Sequence, residues 1–201
     1  MFTNTDTALI VFVRPPELGK VKTRLAQTIG NERALAVYRL LLNHTLDITK
    51  PLPFQKFVYY SDDIVENDLW NQPSYFKRKQ SGSSLGEKMQ HAFNELFAEG
   101  FKKVLIIGSD CYQLQTATIE EAVDKLSSYS VLLGPTYDGG YYLLGMNAFI
   151  PVLFENKTWS TDQVLKESIA DLNSLNVSFS LLEVLHDVDE EADLFLSGIH
   201  L

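Results

Sequence analysis

Apolar runs alternate along this chain with stretches in which apolar residues recur at helical spacing. Residues 7–13 (TALIVFV) are almost continuously apolar and predict a buried strand. Leu35, Tyr38, Leu42 and Leu46 then mark one face of a helix over residues 31–47. Residues 55–60 predict a second strand and 103–107 a third. Between them, Leu85, Met89, Phe93 and Leu96 give residues 85–98 a helical face. Further on, 118–127 reads as a helix, 130–133 and 141–146 as strands, 161–175 as a helix, 177–184 as a late strand and 190–196 as a short closing helix. Over residues 62–80, Pro73 and mixed polarity blur the pattern, and no element is predicted there.

Strands alternating with helices imply βαβ units, right-handed crossovers and a mostly parallel sheet, an α/β class. In such sheets ligands gather beyond the carboxyl ends of the strands. The chain has no internal repeat, low-complexity tract or long polar linker. Its 201 residues are enough for one well-buried core, so residues 1–201 read as a single domain.

Composition narrows the function. With 45% hydrophobic and 21% charged residues the chain is an ordinary globular protein, and nothing in it approaches the roughly 18 consecutive apolar residues of a membrane span. The first residues lack the basic flank and apolar core of a secretory signal, and Cys111 is the only cysteine; both point to the cytoplasm. A formal charge of -9 argues against nucleic acid or anionic lipid as a partner. Against that acidic background Arg14, Lys20, Lys22 and Arg24 crowd into one short segment, a local excess of positive charge suited to a small anion.

Four segments carry candidate chemistry. In FVRPPELGKVKTRLA (12–26) a strand runs into a Pro/Gly turn and a helix-compatible stretch; Gly19 permits close backbone approach, and Lys and Arg suit phosphate oxygens. It is neither a P-loop nor a dinucleotide fingerprint. In QSGSSLGEKM (80–89), Ser84 and Glu87 fit a helix-capping box, Gly82 and Gly86 leave space for a flat ligand, and Gln80 offers a donor and an acceptor to a nucleobase edge. Asp110 follows the strand 103–107, where sites are built, although a carboxylate there also serves as an ordinary helix or turn cap. GPTYDGGYYLLGM (134–146) reads as a hairpin turn at Asp138-Gly139-Gly140 followed by Tyr141 and Tyr142, able to stack on a ring. In HDVDEEADL (186–194) Asp187 and Asp189 alternate along an extended segment, which puts them on one side. His44, His91, His186 and His200 show no metal-ligand spacing, and Cys111 is read as a small buried residue.

Taken in order, RPPELGKVKTRLA, SLGEKM, LIIGSDC, LGPTYDGGYYLLGM, the WST at Trp159-Ser160-Thr161 and the late DVD resemble an uncharacterised bacterial family of GT-A-like transferases, DUF2064. That family is grouped with nucleotide-diphospho-sugar transferases and is a distant relative of molybdopterin and phospholactate guanylyltransferases. The resemblance runs from about residue 8 to 194. It implies a GT-A fold, a Rossmann-like three-layer αβα sandwich with one reversed strand in a mostly parallel sheet. It also implies a nucleotide held in the N-terminal half and a Mg²⁺ or Mn²⁺ ion at the acidic residue after the central strand. Carried onto this sequence, it makes Asp110 and Asp189, with Asp187 second to Asp189, the metal carboxylates, and gives the phosphates to Arg14, Lys20, Lys22 and Arg24. Gln80, Ser84 and Gly86 would contact the base. Asp138, Gly139, Gly140 and Tyr141 would face a small-molecule acceptor, with Asp110, Asp138 and Lys22 as the catalytic set. A divalent ion there would neutralise charge on a leaving pyrophosphate or nucleoside diphosphate.

Tyr112 and Gln113 stand where the family pattern has Pro and an acid, Ser84 where an acid precedes LG, and Lys88 where Arg is usual. The main reading is a metal-dependent transferase using a nucleotide sugar or nucleoside triphosphate, and the family's grouping favours glycosyl transfer. Nucleotidyl transfer of the guanylyltransferase type is the alternative. A nucleotide-binding protein without turnover, motivated by Tyr112 and Gln113, is a third. Exposed aromatics would suit a dimer, which the sequence does not locate.

Overall fold

A computed structural model describes residues 6–199; residues 1–5, His200 and Leu201 lie outside them. The apolar run of Thr7–Val13 forms β1, an interior strand of a seven-stranded sheet. Around it lie β2 (Gln55–Tyr60), β3 (Tyr75–Lys79), β4 (Lys103–Ile107), β5 (Val131–Pro135), β6 (Tyr141–Met146) and β7 (Phe179–Leu181), in the order β3-β2-β1-β4-β6-β5-β7. β6 runs antiparallel to both β4 and β5, while the other pairings are parallel. The expected single reversed strand is therefore β6.

The continuously apolar strands are buried on both faces, as a parallel sheet covered by helices requires. Leu9, Val11, Val13, Leu105 and Ile107 point to one side, under α2 (Asn31–Thr49) and α4 (Thr116–Lys125). Ala8, Ile10, Val104 and Ile106 point to the other, under α3 (Leu85–Ala98) and α5 (Val164–Ser174). These are the three layers of an αβα sandwich.

Three elements depart most from the sequence pattern, while α4, β5 and α5 shift by a few residues at their ends. β3 falls in the stretch with no predicted element: its sequence YFKRK buries only Tyr75, as an edge strand studded with cations does. α2 buries Ala34, Val37 and Leu41 in addition to Tyr38 and Leu42, because it packs on the sheet and also against α1 (Thr23–Ile29) and α6 (Glu191–Leu196). The late strand shrinks to Phe179–Leu181, continued only by a bridge between Leu185 and Thr136.

β1 leads outward to β2 and β3, and the chain then returns to the other side of β1 as β4. The strand order thus reverses between β1 and β4, and the crevice beyond their carboxyl ends is where this architecture places a ligand.

Candidate active site

A cleft of about 600 Å³ opens at that reversal. The loops after β1 and β4 form its floor, and Tyr38 of α2 ties them together. The Tyr38 hydroxyl accepts from the Arg14 N–H (2.9 Å), donates to the Arg14 carbonyl (3.1 Å) and lies 3.5 Å from Ser109 Oγ. The apolar spacing of α2 placed Tyr38 in the core, but its hydroxyl becomes visible only once both loops are in place.

Lys22 stands at the turn into α1 with left-handed backbone angles (φ 45°, ψ 48°), uncommon for a residue other than glycine and sustained only where the surroundings over-determine it. Its side chain is 8% exposed and its ammonium lies 3.3 Å from Asp110 Oδ2 and 3.2 Å from Asp189 Oδ1. Arg24 pairs with the other oxygen of Asp189 at 3.1 Å. Burial alone would drive the Lys22 ammonium to lose its proton, but Asp110 and Asp189 outweigh burial and hold its pKa above the ordinary lysine value.

Both carboxylates are positioned by backbone. Gly108 clears space for Asp110, since a Cβ there would sit 2.6 Å from Asp110 Oδ1. The Asp110 carbonyl accepts from Val188 N–H (3.0 Å), and the Val188 side chain is fully buried against Leu25, Val37 and Leu41. Anchoring Val188 inward turns Asp187 and Asp189 on either side of it toward the cleft, as the alternation predicted. Asp189 N–H in turn donates to Asp193 Oδ2 (2.9 Å) in the capping arrangement of α6.

Three carboxylates therefore line a cleft that holds one buried ammonium. The surplus shows at Asp187, whose carboxyl is pushed up to about 7 by burial and by the charges of Asp110, Asp138 and Asp189. Among the described residues no three His, Cys, Asp or Glu side chains form a metal cage. A hard divalent cation needs no such cage: one or two carboxylates suffice when phosphate oxygens and water complete its shell. Asp110 and Asp189, 40% and 44% exposed and with Asp187 beside them, fit such an ion.

The remaining predicted residues fall in different places. Arg14 and Gln80 line the cleft with Lys22, Arg24, Asp110 and Asp189; Lys20 lines its mouth, exposed and paired with Glu17 at 2.6 Å. Ser84 caps α3 by accepting from Glu87 N–H (3.2 Å), and Glu87 reaches back to Ser83 rather than to Ser84. Gly86 does not line the cleft: a Cβ there would lie 2.3 Å from Trp159 Nε1, so this glycine makes room for an indole. Asp138 holds the β5–β6 turn, its Oδ1 accepting from Thr136 Oγ1 and from Gly140 N–H (3.1 Å). Gly139 (φ 87°) lets that turn lie directly against Asp162. Tyr141 lines the cleft half-buried, with its hydroxyl shut off from water, and burial of that hydroxyl raises its pKa. Cys111 is buried, its thiol pushed up to about 12 by burial and then by Asp110.

Tyr112 and Gln113 face away from the cleft. Tyr112 packs on the His44 ring (4.6 Å between centroids), while Gln113 donates to Leu196 O (3.0 Å) and accepts from His186 N–H (2.8 Å). They brace the carboxylate-bearing segment from behind. Lys88 lines the cleft and was named only as a departure from the family pattern.

A family model described as an uncharacterised protein conserved in bacteria (DUF2064) matches residues 47–161. A candidate nucleotide-diphospho-sugar transferase from Desulfovibrio desulfuricans G20 is 30% identical, with 95% of this chain and 85% of that one covered and a TM-score of 0.88. Two more distant structures share the fold. Rv0371c of Mycobacterium tuberculosis H37Rv, in complex with manganese, is 14% identical over 97% of this chain and 98% of its own, with a TM-score of 0.55. CMP:2-keto-3-deoxy-manno-octonic acid synthetase, complexed with CTP, is 9% identical over 96% of this chain and 98% of its own, with a TM-score of 0.60. The fold is accordingly that of the nucleotide-diphospho-sugar transferases. No helix among the described residues is long and apolar enough to cross a membrane.

Proposed function

The chain belongs to the bacterial DUF2064 family, and on that premise we propose that it is a transferase that binds the diphosphate of a nucleotide sugar beside Lys22, Asp110 and Asp189 and passes the sugar to a small-molecule acceptor. The observation that carries this reading is the buried Lys22 ammonium shared by two carboxylates, at the strand-order reversal of a nucleotide-transferase fold. Clustered cations and an excess of carboxylates in one cleft meet the opposing needs of a donor diphosphate and its counter-ion.

Lys22 and Arg24 supply charge to the diphosphate as it leaves, and Arg14 and Lys20 extend that field along the cleft. Mg²⁺ or Mn²⁺ held by Asp110 and Asp189 would neutralise further charge on the leaving group. An acceptor hydroxyl oxygen attacks the anomeric carbon, the bond from that carbon to the diphosphate oxygen breaks, and the hydroxyl proton passes to a carboxylate. In this reading Asp138 is that carboxylate, which its Oδ2, without a protein partner among the described residues, supports; its Oδ1 is engaged within the turn. Tyr141 offers a ring edge at the same end.

A second reading is nucleotidyl transfer, in which the acceptor attacks the α-phosphorus of a nucleoside triphosphate and pyrophosphate leaves. The shared fold of the synthetase complexed with CTP favours it. A nucleotide-binding protein without turnover is the third reading; Tyr112 and Gln113, which motivate it, contact the cleft segment from outside. Phosphorus NMR of the protein turned over with nucleotides and diamagnetic Mg²⁺ separates the two reactions. Release of nucleoside diphosphate from a nucleotide sugar supports glycosyl transfer, and release of pyrophosphate from a triphosphate supports nucleotidyl transfer. Neither product from any common nucleotide, in the presence of a broad set of sugar and alcohol acceptors, would refute the transferase reading.

A further inference from the structure

The wall of the cleft away from the carboxylates is built for a different task. Gln80 directly follows β3, and its backbone N–H donates to Tyr60 O (2.9 Å) while its side-chain Nε2 donates to Tyr59 O (3.0 Å). A primary amide has one donor end and one acceptor end. Here the strand backbone takes one of the two amide N–H groups and fixes the orientation of the amide, so Oε1, without a protein partner among the described residues, is the acceptor that Gln80 can offer a ligand. Lys88, in the first turns of α3, lines the same cleft half-buried and has no carboxylate partner among the described residues. Lys22, Arg24 and Lys20 all have one. The 80–82 loop lies against Lys88, since a Cβ on Gly82 would fall 2.9 Å from the Lys88 backbone nitrogen. Between them Leu85, an apolar side chain left 42% exposed, and Met89 add apolar surface.

An apolar surface for a flat ring, flanked by one fixed acceptor and one unpaired cation, matches the edge of a nucleobase. We infer that Gln80 and Lys88 read the base of the donor and select an oxo base, meaning guanine, uracil or thymine, over adenine and cytosine. The inference rests on the nucleotide-binding reading above and adds the identity of the base. On an oxo base the ring N–H donates to Gln80 Oε1, and the adjacent exocyclic carbonyl oxygen, the most negative atom of that edge, accepts from the Lys88 ammonium. On adenine or cytosine the same register sets the lone pair of a ring nitrogen against Oε1 and the positive hydrogens of an amino group against the ammonium. Both contacts become repulsive, and a site whose polar groups are left unpaired rejects such a ligand strongly.

The test is calorimetric titration of the protein with GDP, UDP, dTDP, ADP and CDP in the presence of Mn²⁺, repeated on Lys88→Met and Gln80→Met. At least one oxo-base diphosphate is expected to bind about tenfold or more tightly than ADP and CDP. Lys88→Met should erase that preference by weakening the oxo-base diphosphates without weakening ADP or CDP, because it removes an attraction to the former and a repulsion from the latter. Gln80→Met should weaken the preference in the same direction. Equal affinity for all bases, a preference for ADP or CDP, or an oxo-base preference that survives both substitutions would overturn the assignment while leaving the nucleotide site standing. Failure of the wild-type protein to bind any of the five would overturn the nucleotide reading and this inference with it.

Discussion

Two lysines at opposite ends of the same sheet are almost equally hidden from water and have opposite electrostatics. Lys22, at the carboxyl ends of the strands, is shared by Asp110 and Asp189, which hold its charge in place against burial. Lys56, near the start of β2, is 1% exposed and has no carboxylate partner among the described residues. Its ammonium donates to Leu52 O (2.5 Å) and lies 5.9 Å from the centre of the Phe54 ring and 5.6 Å from that of Tyr75. Burial drives its pKa down to about 8. A lysine in the scaffold thus bears its desolvation almost alone. The one in the cleft is compensated by carboxylates that remain 40% and 44% exposed, open to a further ligand. Burial by itself does not mark a functional lysine; accessible carboxylates with charge to spare do.

The sharpest way to break that contrast is Asp110→Asn. Loss of one carboxylate should weaken metal-dependent nucleotide binding by on the order of 100-fold, measured by calorimetry with and without Mn²⁺, while leaving the fold intact. An unchanged affinity would make Asp110 a structural cap. Next comes Lys22→Met, expected to weaken nucleoside diphosphate binding by about tenfold or more. The same variant should bind Mn²⁺ alone more tightly than wild type, because two carboxylates lose their resident cation; weaker Mn²⁺ binding would contradict this.

Lys56→Met should instead stabilise the protein by about 1 kcal/mol at pH 7 in urea unfolding, since it replaces a desolvated charge by an apolar chain of similar size. The sign follows from proton binding. The folded-state pKa, about 8, lies below the ordinary value of 10.5, so between those pH values the unfolded chain holds more protons and wild-type stability rises with pH. The advantage of the variant should fade over that interval, and an advantage independent of pH would exclude the electrostatic cause. The smallest effect belongs to Gln113→Ala, which removes the bonds to Leu196 and His186 and should cost about 1 kcal/mol or less, with no change in base preference.

Much of this scaffold was legible in the sequence because the strands carry unambiguous apolar runs. β1, β2, β4, β6 and α3 have the boundaries that the pattern predicts. β3 was not legible, since an edge strand with a single buried residue carries no alternation to detect. The segment bearing Lys22 and the two carboxylates of Asp110 and Asp189 come from three distant parts of the chain, and motif order alone suggested that they meet. The packing role of Gly86 was out of reach, because its partner Trp159 lies 2.3 Å from the missing Cβ but far away along the chain. The orientation of the Gln80 amide depends likewise on where β2 ends beside β3. Side chains read as generic donors in a sequence acquire direction only from such neighbours.

The central claim is that Asp110 and Asp189 hold a divalent cation against a nucleotide diphosphate, with Lys22 beside it. The most direct test is the anomalous scattering of Mn²⁺ in crystals grown with Mn²⁺ and a nucleoside diphosphate. The account predicts a manganese peak bound by Asp110 and Asp189, with the diphosphate contacting both the ion and the Lys22 ammonium. A diphosphate bound elsewhere, or bound in the cleft with no manganese at these carboxylates, would contradict it.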